Sequence, residues 1–550
     1  MDSSPTSAPR SPPSTAPSTG FDALAPLTFL GWRGGLAAIV AGVTASFFLC
    51  GYAVVYWRNA DMDFMVIYNA LVLNDGKPQL FFDHTGYLTI LMVKAWFATL
   101  HGLGLLDSYS LSSMPPASSP EAFDAAMTHA VRAGRVLAWL IATGSVLIFA
   151  GLIRAIIRDW RVALIAVFAF AFSGGLAVHA RILRTELVAA CPVLFALMTL
   201  IVVGRRASLA RPLWIALAAA LCVLGLENKV QAILLIAALP VLILPFGNAE
   251  SASVAFWRNR RSALLVAIAS VVVAAVAVYV AWPIITTGFD RTLLDAAGFR
   301  PLLLGHYGIY QAALLLLSGG GMLIYAAVWR ISAAETLTSI AAVAAGAAVA
   351  LLALNLDYNT ADVIAVFNPL EKMLKFVDAG TAAAASSKSG LSDIVWLLLD
   401  GIISVAARYS FVLHSSPRPT VFLTWLIVPG IVVAWKRGEK QVAIQALLLL
   451  AAAAGIDALG VRRGLKSEYF IFTDPLIILA GALLLDLLRD LRFHKWAFSI
   501  AVVVFALQIM ISQAEPIKYA LQQRGPESIC EWNRYYMPLM PLPWCPMARS

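Results

Sequence analysis

Residues 262–284 read SALLVAIASVVVAAVAVYVAWPI, a run of 23 residues without one charged side chain, entered from Arg258, Arg260 and Arg261. As a helix rising about 1.5 Å per residue it extends roughly 34 Å, enough to cross the roughly 30 Å hydrocarbon layer of a bilayer. Comparable apolar stretches occupy 35–57, 133–153, 162–180, 187–204, 212–226, 230–247, 309–329, 335–354, 419–435, 441–457, 470–488 and 496–513. Of the 550 residues, 60% are hydrophobic and 13% charged, with a mean hydropathy of +0.81. Soluble domains carry about a quarter charged residues, so a water-soluble core does not account for this composition. The runs are continuous, with no two-residue alternation, which excludes a transmembrane β-barrel. The expected fold is an all-α polytopic membrane protein with about 13 transmembrane helices.

The formal net charge is +9, from 40 Lys+Arg against 31 Asp+Glu. It does not signal nucleic acid, because the basic residues sit in short clusters between apolar runs. There they set topology and meet anionic lipid headgroups. A cytoplasmic N-terminus places Arg154/Arg158/Arg161, Arg205/Arg206/Arg211, Arg258/Arg260/Arg261, Lys436/Arg437/Lys440 and Arg489/Arg492/Lys495 inside. It leaves the sparser segments 58–132 and 355–418 outside, together with a C-terminal tail at 514–550. The stretches 86–106, with Lys94 and His101, and 391–411, with Asp393, Asp400 and Arg408, are apolar too. Crossing by either one would translocate a basic cluster, so both are expected to lie in the interface as amphipathic helices. Ala361 to Asp378 is a further amphipathic stretch, with Val363, Ile364, Phe367, Leu370, Leu374 and Val377 on one face.

Residues 1–34 are expected as a disordered cytoplasmic N-terminus, 35–513 as the transmembrane domain and 514–550 as an external tail. No basic segment followed by a short apolar stretch opens the chain, so the first span is expected to serve as its own insertion signal. Cys50, Cys191 and Cys222 lie in apolar segments, as small core residues do. Cys530 and Cys545 lie in the tail and can pair as a disulfide if it faces an oxidising compartment.

Several groups that can do chemistry fall on the external side. After the first span come Asp61 and Asp63 in Asn59-Ala-Asp-Met-Asp-Phe-Met-Val-Ile-Tyr68. They supply either a general base or caps for the following helix. His84, in Phe81-Phe-Asp-His-Thr85, is placed either to donate to a phosphate or sugar hydroxyl or to stand exposed and idle. His179-Ala-Arg181-Ile-Leu-Arg184-Thr-Glu186 offers two arginines that match phosphate oxygens bidentately, or an internal Arg–Glu pair. Glu227-Asn228-Lys229 is a short turn holding both charges, Lys229 being the possible substrate contact. Arg462-Arg463-Gly-Leu-Lys466-Ser-Glu468-Tyr469 is a dense basic cluster on the side where such clusters are rare, suited to a polyprenyl phosphate. No P-loop, Rossmann fingerprint, zinc-ligand pattern or nucleophile elbow appears. Asp61-x-Asp63 is similar to the metal-binding pair of nucleotide-sugar transferases, but no soluble α/β domain surrounds it.

In this pattern the chain resembles the GT-C superfamily of integral membrane glycosyltransferases, among them the protein O-mannosyltransferases and the aminoarabinose transferases. In those families an acidic residue follows the first span, in a long external loop with juxtamembrane helices. A tyrosine, a small residue and a glycine come next. Here Asp63-Phe-x-x-x-Tyr68-x-Ala70, then Gly76-Lys77-Pro78, resembles the version in bacterial polyprenyl-phosphate-hexose transferases. The resemblance implies Asp63 as the base, with Asp61 second. It implies Arg181, Arg184 and Glu186 as the charged motif of the second external loop, and Lys466-x-x-Tyr469 as the late motif facing the lipid phosphate. The adjacent acidic pair of the mannosyl- and aminoarabinosyl-transferase versions is Asp-Met-Asp here, which leaves the choice of base open.

The activity so implied is inverting transfer of a single sugar from a polyprenyl-phosphate donor to a lipid, glycan or protein acceptor, at the periplasmic face of a bacterial inner membrane. No later soluble domain of the oligosaccharyltransferase kind is read in the chain, which favours one sugar over a whole oligosaccharide. No cofactor is expected, although the external carboxylates could hold a divalent cation. Asp63→Asn is expected to abolish transfer while leaving folding intact. A transporter or lipid flippase is the alternative. It would place ionisable residues near the bilayer midplane and often show two similar halves, whereas the candidates here cluster at one edge.

Overall fold

A computed structural model describes residues 25–59, 63–77, 86–205, 210–229, 231–247, 255–286, 308–354, 356, 396, 399–406, 419–460, 467–488 and 537–545, with isolated positions between 503 and 530. The expected stretches at 361–378 and 462–466, and nearly all of 496–513, lie outside the described residues, as do Asp61, His84 and Lys466. Among the described residues there is no strand.

The helices are α1 (Ala25–Phe47), α2 (Met65–Asn74), α3 (Tyr87–Gly102), α4 (Pro120–Ile156), α5 (Trp160–Ala171), α6 (Gly174–His179), α7 (Thr185–Gly204) and α8 (Arg211–Asn228). They continue as α9 (Ala232–Ile243), α10 (Ala255–Arg258), α11 (Arg260–Thr286), α12 (Gly308–Val328), α13 (Ala333–Leu354), α14 (Pro419–Lys436), α15 (Lys440–Gly460) and α16 (Asp474–Leu488). Seven helical stretches among the described residues are long and apolar enough to cross a membrane, and five shorter apolar helices accompany them.

Four expected spans differ in detail. The first helix begins at Ala25, before the expected start at 35, and bends at Gly31, whose φ of +64° suits a residue without Cβ. The run 162–180 divides into α5 and α6, because Ser173 turns extended and its hydroxyl caps the amide of Leu176. The run 470–488 opens as a 3-10 turn, Ser467–Phe472, before α16. α4 also extends well ahead of 133, since Pro120 starts it and Phe123, Met127 and Ala130 continue a buried stripe.

α7 is the most enclosed long helix and packs against α4, α8 and α9. α11 stands at the periphery. Ala263, Ala267, Ala274 and Ala281 form its buried face against α13, while Leu265, Val273 and Tyr279 are exposed. Small residues turned inward and large apolar ones turned outward are the pattern of a helix bathed in lipid. α8 and α13 approach so closely that a Cβ on Gly346 would stand 2.0 Å from the Ala216 carbonyl oxygen.

The apolar interior divides into two main bodies. One joins the spans α1, α4, α5, α7, α9 and α14–α16. The other is built by the first loop: Phe64 to Leu73, then Ile90, Val93 and Phe97 of α3, and the start of α4. α3 is the amphipathic helix expected at 86–106. It buries that three-residue stripe, carries Lys94 on a less buried face and, at 16 residues, is not among the helices long enough to cross a membrane. The tail packs into the same body through Met537, Met540 and Leu542, and Leu539 N–H donates to the Tyr68 hydroxyl at 3.2 Å. The first loop and the tail therefore lie on the same side of the spans. Cys530 and Cys545 are joined as a disulfide in this tail.

Candidate functional site

Asp63 stands two residues ahead of the buried helix α2 and is itself 0% exposed. Its Oδ2 accepts from Arg135 Nε at 2.8 Å, and its Oδ1 accepts from the Leu183 N–H at 2.6 Å. Burial pushes the Asp63 carboxyl above the usual carboxylate range, against the opposing pull of Arg135 and the Leu183 amide. Arg135, on α4, also donates through Nη1 to the carbonyls of Gly51 (3.0 Å) and Val54. One guanidinium thus ties the exit of the first span, a π-helical turn Phe48–Tyr52, to the acidic residue of the first loop.

The segment 180–184 between α6 and α7 carries the next groups. Arg181 is 4% exposed. Its Nη2 donates to Ser46 Oγ at 2.6 Å and to Gln513 Oε1 at 2.7 Å, and its Nε to the same Ser46 oxygen at 3.1 Å. Among the described residues no carboxylate pairs with it. Burial without a counter-charge pushes its guanidinium down to about 10. Gly51 lets this segment dock, because a Cβ there would lie 2.9 Å from Arg181 Cβ.

Arg184 behaves differently. It bonds Glu186 at 3.2 Å and Glu468 at 3.3 Å. Glu186 is shared with Lys229 Nζ at 2.5 Å, and that ammonium lies 5.5 Å from the centre of the Tyr469 ring. His179 Nε2 meets the Glu468 carbonyl at 3.1 Å. Asn228 donates to the Thr185 carbonyl at 2.6 Å, and its Oδ1 accepts from the N–H (2.9 Å) and hydroxyl (3.0 Å) of Thr89. Two cations face two carboxylates here, so the cluster is internally neutral and pins α7, α8 and the 3-10 turn to one another.

The expected residues Asp63, Arg181, Arg184, Glu186, Lys229 and Tyr469 thus come together around the start of α7. Sequence reasoning missed Arg135 as the partner of Asp63. Its signal was there: a lone arginine in an otherwise apolar run has to be paired or used. It also read Glu468 only as part of a basic cluster. Among the described residues no three His, Cys, Asp or Glu side chains group as metal ligands. The oxygens of Asp63 face N–H donors, and Glu186 lies between two cations.

No protein-family model matches the chain, and no curated protein sequence matches it. Solved structures do. The oligosaccharyltransferase of Archaeoglobus fulgidus in its apo form is 13% identical with a TM-score of 0.50, over 95% of this chain and 61% of that one. The same archaeal enzyme in complex with an inhibitory peptide and a dolichol-phosphate gives 13% identity and a TM-score of 0.47, over 94% and 60%. Tethered to an acceptor peptide it gives 12% and 0.47, over 94% and 60%. At this identity the likeness concerns the fold alone: the chain is an all-α polytopic membrane protein whose fold is similar to that of the apo archaeal structure. It spans about 61% of the length of the apo structure.

Proposed function

We propose that the chain is a membrane glycosyltransferase that moves a single sugar from a polyprenyl-monophosphate donor to an acceptor hydroxyl, with inversion, on the external face of a bacterial inner membrane. The observation that carries this reading is the junction at Leu183. Its amide holds Asp63, while Arg181, two residues earlier, presents a buried guanidinium with no carboxylate partner among the described residues. An acid that can take a proton and a cation that can take a phosphate therefore meet at one loop.

In the proposed step the acceptor oxygen attacks the anomeric carbon and its proton passes to the Asp63 carboxylate. The bond from that carbon to the phosphate oxygen breaks with its electron pair going to the phosphate. Arg181 stabilises that growing charge, in a dry setting where electrostatic preorganisation acts strongly. A carboxylate offers about four acceptor positions, two of which the Arg135 and Leu183 N–H groups use. Burial raises its basicity in the direction a general base requires. Asp61 stands as the alternative base. Lys466, Tyr469 and His84 keep, from the sequence pattern, their proposed places toward the lipid phosphate and the sugar. Glu186 and Lys229 position α7 and α8 around them.

The test is consumption of a radiolabelled polyprenyl-phosphate sugar by the purified protein, against flux of the same lipid across sealed vesicles. Release of polyprenyl phosphate with the sugar on an acceptor supports the reading. Flux without consumption replaces it with a transporter or flippase.

A further inference from the structure

The tail and the turn after the first span close an aromatic cluster beside Asp63. Trp57 lies in the 3-10 turn Tyr56–Asn59, and Trp544 precedes the disulfide-bonded Cys545. Their ring centres are 6.2 Å apart, with the planes inclined at 59°. Tyr56 joins both: its ring stands edge-on to Trp57 at 4.9 Å, and 5.9 Å from Trp544. Its other neighbour is Phe64, 5.7 Å away and nearly parallel, which is the residue after Asp63. Phe123 of α4 meets Trp544 at 5.9 Å. Tyr56, Phe64 and Phe123 are buried, whereas Trp57 and Trp544 keep part of their surface open.

Polar groups stand at the same place. Asp124 is exposed, and its Oδ1 accepts from the Tyr56 hydroxyl at 2.9 Å. A carboxylate offers about four acceptor positions, so it can take further donors. Trp544 Nε1–H meets no acceptor among the described residues. Glu121, one turn earlier on α4, is exposed as well. Open aromatic faces bordered by a carboxylate and an N–H donor match a sugar ring, which carries C–H groups on its faces and hydroxyls around its rim. A hydrocarbon chain would leave the polar edge unused. Two carboxylates on this part of α4 oppose an anionic sugar by like charge.

We propose that Trp57, Trp544 and Asp124 bind a neutral sugar ring of the acceptor, which makes the acceptor a glycan. The two indoles take the C–H faces of the ring, and Asp124 and Trp544 Nε1–H take its hydroxyls. This rests on the transferase reading and supplies its acceptor class. The Cys530–Cys545 disulfide then has a task beyond stability, since it holds Trp544 over the first loop next to the segment that carries Asp63.

The test places the full-length protein, in phosphatidylcholine nanodiscs and without donor lipid, over an array of neutral and uronic-acid-containing oligosaccharides. Capture by at least one neutral oligosaccharide is expected, and that compound is then titrated in solution against variants. Trp57→Ala and Trp544→Ala should each lose about tenfold in affinity, about 1.4 kcal/mol, while Trp57→Phe retains most of it. Lys440→Gln, which alters an exposed cation seated over Trp435, should bind as wild type does. Asp124 is exposed, so Asp124→Asn reports on binding even where a tryptophan variant fails to fold. It should lose about fivefold, as a charge-assisted hydrogen bond becomes a neutral one. Capture by no neutral oligosaccharide, preference for uronic-acid compounds, or wild-type affinity in either Trp57→Ala or Asp124→Asn overturns the proposal. A protein that captures the glycan through these residues yet consumes no polyprenyl-phosphate sugar keeps this site and removes the transferase reading. Consumption that is undisturbed in Trp57→Ala and Asp124→Asn keeps the transferase reading and removes the site.

Discussion

Asp63→Asn removes one partner of an ion pair that is sealed from solvent: the Asp63 side chain is 0% exposed and that of Arg135 2%. The amide oxygen can still accept from the Leu183 N–H, but the amide NH2 then faces the Arg135 Nε–H, donor against donor. The guanidinium keeps its bonds to Gly51 and Val54 carbonyls and loses its charge partner. Breaking a buried pair in this way costs about 3–5 kcal/mol, because the remaining charge stays desolvated. Unfolding measured in detergent should place Asp63→Asn about 3 kcal/mol below wild type, taking the low end because the carbonyl contacts persist. The expectation from sequence, that this change leaves folding intact, is thereby revised. The double variant Asp63→Asn/Arg135→Met should be more stable than the sum of the single changes allows, with a coupling of at least about 1 kcal/mol for groups in direct contact. Additive effects of the two changes, or an Asp63→Asn protein as stable as wild type, would refute the pairing as a source of stability. Loss of transfer in Asp63→Asn is therefore ambiguous alone. Arg135→Gln, which keeps the carboxylate, separates the roles: measurable turnover in that variant with none in a folded Asp63→Asn assigns the proton to Asp63.

Three further outcomes are expected. Burial alone would raise the Asp75 carboxyl, but the hydroxyl and amide of Ser112, with Lys77, hold it below the usual carboxylate range. Its contribution is then present above the unfolded pKa of about 3.9 and lost as pH falls through the lower folded value. Hydrogen exchange at the Ser112 amide should speed up only in that acid window, and exchange indifferent to Asp75→Asn would contradict it. Reduction of Cys530–Cys545 should loosen the tail and expose α2, since the 15-residue separation corresponds to about 3 kcal/mol of chain entropy. Limited proteolysis at 537–545 with and without dithiothreitol reads this directly, and equal cleavage rates would oppose it. Gly346→Val forces a Cβ to 2.0 Å from the Ala216 oxygen and should destabilise by about 1–3 kcal/mol through overpacking. An unchanged melting curve would show that α8 and α13 can separate freely.

The spans were legible because bilayer thickness imposes a length and a composition on each, whatever the fold. α11 shows this at its simplest, and its alanine face adds the direction of packing. Where a run hides a break, the signal is finer: Ser173-Gly174-Gly175 divides 162–180, and composition averaged over a span does not resolve it. Site residues were legible as types and not as pairs. Arg184 and Glu186 are near neighbours in the chain, so their contact could be proposed from spacing. Asp63 and Arg135 are 72 residues apart and Lys229 and Glu186 are 43 apart, and no local periodicity encodes those meetings.

The most direct measurement is an electron cryomicroscopy structure of the protein in nanodiscs with a bound polyprenyl-phosphate sugar. The phosphate should lie within hydrogen-bond reach, about 3 Å, of Arg181 at the exit of the first span, with the anomeric carbon turned toward Asp63. A phosphate held elsewhere, with Asp63 still closed against Arg135 and no path from its carboxylate to the sugar, would contradict the assignment.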